Sequence, residues 1–426
     1  MLPSAEQITS HMARFLDMLD SAFRRYGAPD GLPERFRQAV TTTPRHLFVH
    51  RFRLKDLSAT IPTREDRLRD SDADPMAALA DIYSDAVMNH VDAAGERLPS
   101  TNSQPSYVLW LLHLLDLQPG QRVLEIGSGS GWLAAVMAGL VGDGGQVTGI
   151  EIIPELAVQS RADLTRLGFG NVSVLASDGA RGYAEGAPFN RVMVTAASWE
   201  LPDVLFDQVA EGGRVLVPVE LRGGGCQVTV MRREKAGFTA ECAVPGWFVP
   251  LRGTGQQRSR FRFGLAELPL WNEIGGAPSR RVKLPLAKGL EGAAGTAEAG
   301  FRAFLGRTTR GFAVFGDGEA FEQRFWTPAE PFGIVDDADR SVALWRDGEL
   351  LGYGGMSAIR SMARAYARWA SYGLPGLAGM GLKVVRAGDV PNGDGPVWIE
   401  TRGKTALIWS PLPDAEDWKD LTGGSA

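Results

Sequence analysis

The sequence predicts an α/β protein, a doubly wound and mostly parallel sheet with helices on both faces, preceded by N-terminal helices and followed by a C-terminal α+β domain. Three observations predict it. Between Gln121 and Leu251, short apolar runs alternate with turns and helix-period segments, as in strands joined by crossover helices. The first run, Val123 to Ile126, enters a glycine-rich turn, Gly127 to Gly131, and then a helical stretch. After Gly253 the texture changes to Gly/Ala-rich connections, one amphipathic helix and further strands. A chain of 426 residues accommodates roughly two or three domains. The expected divisions are 1–55 (helical), 56–100 (insertion), 101–253 (sheet core) and 254–426 (α+β).

Taken in order, Met12, Phe15, Leu16 and Leu19 recur at helical spacing, with Ser10 as a candidate cap. Residues 64–75 are acid-rich and aperiodic and predict a solvated loop, with a lid as the second reading. Strands are predicted at 122–126, 146–151, 172–176, 191–196, 214–219, 227–232 and 238–251, and helices at 132–141, 154–167 and 202–209. The turn-prone residues 234–237 make the last two strands an antiparallel hairpin. Farther on, 275–278 and 289–300 read as linkers. A helix is predicted at 357–372, with Ile359, Met362, Ala363, Tyr366 and Trp369 on one side. Strands follow at 382–387 and 397–409, the second bent at Arg402-Gly403. Trp271, Trp326, Trp345, Trp369, Trp398 and Trp409 are expected in the core rather than in a peptide cleft.

Composition narrows the function. A net charge of -5 and a pI near 5.7 argue against nucleic acid as the partner. Cys226 and Cys242, both in strand-like context, read as buried free thiols of a reducing cytoplasm. No secretory signal is recognised at the start, and no apolar run reaches the ~18 residues that a membrane span needs. The histidines His11, His46, His50, His90 and His113 never fall at metal-ligand spacing on one helix, so no metal is expected.

The strand, turn and helix from Val123 onward combine a close backbone approach with free amides at a helix start, a cradle for a nucleotide or an anion. A dinucleotide fingerprint fails, because its third glycine is Trp132, and no P-loop Lys-Ser or Lys-Thr pair follows. Three acidic residues mark one sheet edge. Glu125 precedes the turn; Glu151 ends the second strand, where it can accept both ribose hydroxyls; Asp178-Gly179 end the third, where a carboxylate can receive a purine amine.

The ordered set 123–131, 148–157, 177–179, 194–197, 211–214 and 247–251, with Thr-Pro-Arg-His-Leu-Phe-Val at 43–49, resembles the protein-L-isoaspartate O-methyltransferases. The resemblance implies a class I methyltransferase fold that binds S-adenosylmethionine and releases S-adenosylhomocysteine. The turn with Gly127, Ser128, Gly129 and Gly131 would hold the methionine part, Glu151 the ribose and Asp178 the adenine, and Glu125, Ile152 and Gly179 would also bind the cofactor. Ala197, Val249, Pro250 and Leu251 would bind substrate. In that family a Thr-x-Ser-x-Pro segment carries hydroxyls at the reaction centre, and Thr101-Asn102-Ser103-Gln104-Pro105 aligns with it. Ser103 would orient the acceptor carboxylate, with Thr101 in support, while also suiting a helix cap.

Departures are Asn102, where an aliphatic residue is usual, the insertion between His50 and Arg97, and the C-terminal part. With Tyr83–Asp85, Val91–Arg97 and the elements around Trp369, they resemble the longer enzymes of this family from ribosomal peptide pathways (lanthipeptide, graspetide, lasso peptide). That implies esterification of one aspartate of a modified precursor peptide, leading to succinimide or isoaspartate; the second reading is general isoaspartate repair. The partner expected is that peptide, with no nucleic acid or membrane, and the chain is expected to be a monomer or homodimer. Truncation near Gly253 is expected to cost peptide affinity while cofactor binding survives, if the C-terminal domain supplies peptide recognition; if it merely covers the sheet, truncation yields insoluble protein.

Overall fold

Ser4 and Gln7 form a capping box that starts the first helix at Ala5, before the Ser10 expected as its cap. The helix runs to Tyr26, burying Met12, Phe15, Leu19 and Phe23, and stops at Gly27, whose φ of 107° suits glycine. A second helix, Glu34–Thr42, packs on helix Trp132–Val141, with Ala39 against Gly139. The computed structural model describes residues 3–54, 68–71, 73–254, 262–283, 294–315, 330–346, 348–391 and 397–411.

The insertion is a folded element. Its strands Leu68–Asp70, Arg51–Leu54, Met88–Val91 and Arg97–Asn102 lie in that order in an antiparallel sheet. Of the loop expected at 64–75, residues 64–67 and 72 lie outside the described residues. The rest holds strand Leu68–Asp70 and the start of helix Pro75–Ile82, capped by Asp74.

At the centre, Arg122–Ile126, Gln146–Glu151, Val172–Ala176 and Phe189–Val194 pair in parallel as expected. Strand Arg122–Ile126 is flanked by Gln146–Glu151 on one side and Phe189–Val194 on the other. This is the switch point of a doubly wound sheet, outside whose strand ends a crevice forms. Next come Val209–Glu220, parallel to Phe189–Val194, and the expected hairpin Cys226–Glu234/Gly237–Gly246. The helix expected at 202–209 is only Leu205–Gln208.

The sheet does not stop there. Gly237–Gly246 pairs with Met380–Arg386, which pairs with Thr405–Pro411 and then Trp398–Arg402, completing ten strands among the described residues. The single bent strand expected at 397–409 is therefore a hairpin turning at Gly403, where φ is 56°. The C-terminal part continues the central sheet rather than forming a separate body. One core joins Leu124, Ile126 and Val217 to Phe301, Trp345, Trp369 and Trp409. Helices Ala294–Thr308 and Ser357–Ser371 pack on a further six-stranded sheet. The first of them occupies part of the expected linker 289–300, of which 289–293 lie outside the described residues. Trp345, Trp369 and Trp409 are buried as expected, Trp271 and Trp398 are half-buried, and Trp326 lies outside the described residues. Cys226 and Cys242 are buried and free. Among the described residues no helix is long and apolar enough to cross a membrane.

Candidate active site

The turn after Arg122–Ile126 requires its glycines. Gly127, Gly129 and Gly131 have φ of 93°, 53° and 80°, a region L side chains rarely adopt. A Cβ on Gly127 would lie 2.6 Å from Thr195 Oγ1, and one on Gly131 would strike the Ser160 hydroxyl. Behind the turn, Glu151 accepts from the Gly129 amide (2.8 Å) and the Ile153 amide (2.9 Å). It is buried, and each of its oxygens retains acceptor capacity. Glu125 is also buried, and its Oε2 has no partner. Burial, and then the charge of Glu151, push its carboxyl up to about 8.

The segment Thr101–Pro105 arrives on the last strand of the insertion sheet, which ends at Asn102 and leads into helix Pro105–Leu115. Pro105 takes the first turn as expected, but Ser103 is not the cap. Asp85 does that work, accepting from the Ser106 amide (2.9 Å) and hydroxyl (2.7 Å) and from Gln104 Nε2 (2.8 Å). The hydroxyls of Thr101 and Ser103 make no hydrogen bond to any described residue, so they are free to donate to a ligand. Asn102 is fixed differently, its Oδ1 accepting from the Ser130 hydroxyl at 2.8 Å.

One cavity brings together Thr101, Ser103, Glu125, Gly127, Ser128 and Gly129. Arg45, Asn102 and Thr195 also line it. The other expected residues lie around it. Gly131 packs behind the turn against Ser160, and Gly179 packs against Ile126. Ile152 lines a separate cleft with Leu98, Pro99 and Arg252. Asp178 accepts from the Thr254 amide (2.8 Å) and hydroxyl (2.7 Å) and from the Ala180 amide (2.9 Å). Burial alone would raise its pKa, but these donors hold it below the usual carboxylate value. Ala197 donates to the Val249 carbonyl (2.8 Å) and accepts from the Leu251 amide (2.7 Å), so Val249, Pro250 and Leu251 are pinned two residues from Thr195.

Several contributors escape the sequence reading. His90, carried by the insertion sheet, is 5 % exposed, and its Nδ1 lies 2.9 Å from Ser100 Oγ. Its Cε1 comes within 3.1 Å of where a Gly129 Cβ would stand. Burial pushes it down to about 4, so it is neutral. No local pattern links residues 90 and 129. Arg45 did carry a signal, since it is the arginine of the Pro-Arg segment.

Residues 76–256 match the sequence profile of Protein-L-isoaspartate(D-aspartate) O-methyltransferase (PCMT). A protein-L-isoaspartate O-methyltransferase of Ignicoccus hospitalis is 42% identical over 151 residues, 35% of this chain and 72% of that protein. Protein-L-isoaspartate O-methyltransferase 2 of Archaeoglobus fulgidus is 41% identical over 158 residues, 36% of this chain and 69% of that protein. A solved protein-L-isoaspartate O-methyltransferase, 22% identical, covers 87% of this chain and 96% of its own, with a TM-score of 0.49. With its glycine turn at the switch point of a doubly wound sheet, the chain belongs to the protein-L-isoaspartate O-methyltransferase family, S-adenosylmethionine-dependent enzymes that methylate carboxyl groups.

Proposed function

We propose that the chain esterifies the side chain of one aspartate in a modified ribosomal precursor peptide. The observation that carries this reading is the delivery of Thr101–Ser103 to the cavity by an added sheet, Arg51–Asn102, in a chain whose C-terminal strands extend the central sheet. The matched relatives align with little more than a third of the chain, and everything after 256 lies outside the family match.

The residues fit the cofactor. Glu125 and Ser128 line the cavity beside the Gly127 turn, and the buried, unpartnered Glu125 Oε2 and Ser128 Oγ suit an amino-acid end bearing an ammonium group. Bound S-adenosylmethionine supplies a methyl group on a positively charged sulfur. The acceptor carboxylate, with a pKa near 4, is ionised at neutral pH, so no residue need act as general base. Thr101 and Ser103 donate hydrogen bonds that aim one carboxylate oxygen, while Val108, Trp132 and Leu133 keep water from the cavity. The ester carbonyl of the released peptide is then attacked by the following backbone amide nitrogen. A C–N bond forms and methanol leaves, giving the succinimide, which water opens to isoaspartate or aspartate.

General isoaspartate repair is the second reading, favoured by the names of the relatives. Mass spectrometry after incubation with S-adenosylmethionine separates the two. The cognate modified peptide should gain one methyl, or lose one water after cyclisation, while unrelated isoaspartyl peptides stay unchanged. Equal methylation of unrelated isoaspartyl peptides would establish repair instead.

The Glu125 carboxyl gives the site a pH signature. Its pKa of about 8 in the free protein keeps it protonated below that pH. An ammonium placed against it favours the carboxylate, so binding expels the proton. Affinity for S-adenosylhomocysteine should therefore rise with pH, by up to about tenfold per unit, and level off above pH ~8. Calorimetry in buffers of different ionisation heat measures the proton released, and Glu125→Gln should flatten the profile.

A further inference from the structure

The cavity is lined by donors as well as by the Glu125 carboxyl. Glu125 Oε2 supplies an acceptor; Arg45 and Asn102 supply donors. Arg45 is 1 % exposed. Its Nη1 donates to the Ile82 carbonyl at 2.8 Å, its Nη2 to the Ser103 carbonyl at 3.4 Å, and its guanidinium lies 5.2 Å over the Trp132 ring. Its Nε is buried and unpartnered, as is Nδ2 of Asn102. No described carboxylate lies within ion-pair distance of it. Asp85 is felt only as a field, its oxygens being engaged by Ser106 and Gln104.

A guanidinium taken out of water without a counter-ion is costly and is retained where an anion completes it. Trp132, on which it lies, opens the helix directly after Gly131, which sets the cation at the glycine turn rather than at the separate cleft lined by Ile152. A buried acceptor on one wall, with a buried cation and an amide donor on another, is the complement of an α-amino acid, whose ammonium and carboxylate are separated by one carbon.

We propose that Arg45, assisted by Nδ2 of Asn102, binds the α-carboxylate of the cofactor's amino-acid end. Its depressed pKa, about 9 through burial, accords with a cation awaiting its counter-charge. The inference rests on the family assignment and not on the precursor-peptide reading, and its test uses no peptide for the decisive step.

The test is calorimetric binding of S-adenosylhomocysteine and of its decarboxylated analogue to the full chain, as wild type, Arg45→Gln and Arg45→Lys, with thermal unfolding as the check on folding. Wild type should prefer S-adenosylhomocysteine by about tenfold or more, a charge-assisted contact. Arg45→Gln should lose that preference while binding the analogue within about threefold of wild type, and Arg45→Lys should recover part of it. Equal binding of both ligands by wild type overturns the proposal without any variant. So does an equal loss for both ligands in Arg45→Gln, or failure of both variants to fold, which assign Arg45 to the scaffold. Unchanged S-adenosylhomocysteine affinity with a raised KM for peptide would overturn it in favour of the acceptor carboxylate.

Discussion

Ending the chain at Gly253 is expected to yield insoluble protein that binds no S-adenosylhomocysteine. Strand Gly237–Gly246 would lose its partner Met380–Arg386, baring Phe238, which is 0 % exposed in the intact chain. Gln227, fully buried, would lose both its side-chain bonds, from Nε2 to the Met380 carbonyl (3.0 Å) and to Oε1 from Arg307 (2.8 Å). Phe301, Trp369 and Trp409 would leave the shared core. Burying each such side chain contributes about 1.5–3 kcal/mol, and a domain has only about 5–15 kcal/mol of net stability to lose. The damage reaches the site. Arg402 Nη1 donates to the carbonyls of Trp199 (2.7 Å) and Glu220 (2.8 Å), bracing the loop that follows Thr195–Ala197. Expression of residues 1–253 followed by calorimetry checks this; a soluble fragment with full cofactor affinity would contradict it. The shared sheet and core thus favour the second of the two outcomes expected from sequence, loss of the fold, over selective loss of peptide affinity.

Gly127→Ala is expected to weaken S-adenosylhomocysteine binding by about a hundredfold, near 2.7 kcal/mol. A φ of 93° costs an L-residue about 1–2 kcal/mol. The new methyl would also meet Thr195 Oγ1 at 2.6 Å. Thr195 cannot simply turn away, because its one hydroxyl proton is shared between the carbonyls of Gly127 (2.6 Å) and Ile126 (3.0 Å). The turn must therefore shift, taking the Gly129 amide off Glu151. Thr195→Ala in the same chain removes the collision and should restore part of the affinity. Calorimetry alongside thermal unfolding checks both, and affinity within about threefold of wild type would refute the role given to the turn.

The parallel half of the sheet was legible because its strands are buried apolar runs whose punctuating glycines sit where the chain must turn. Val123–Ile126 followed by Gly127 is such a case, since propensity and burial agree there. What was not legible rests on pairings between distant residues. Thr239 with Lys383 joins the C-terminal part to the central sheet, and nothing in either strand names the other. Likewise the cap of helix Pro105–Leu115 comes from Asp85, twenty-one residues from Ser106, whereas Ser103 had the better local credentials. Asp178 was correctly placed at a strand end, but its engagement by Thr254 depends on where the chain returns after Leu251. Ser4 is a different kind of miss, for the Ser-x-x-Gln capping box was present in the sequence.

Because Ser103 caps nothing, its hydroxyl can be removed without loosening the helix, so Ser103→Ala tests the account most directly. The measurement is the single-turnover rate of methyl transfer to the peptide that wild type methylates, with S-adenosylhomocysteine affinity determined in parallel. The expected rate is lower by about thirtyfold, near 2 kcal/mol in the barrier, with cofactor affinity within about threefold. A rate within about threefold of wild type would show that Ser103 does not orient the acceptor carboxylate.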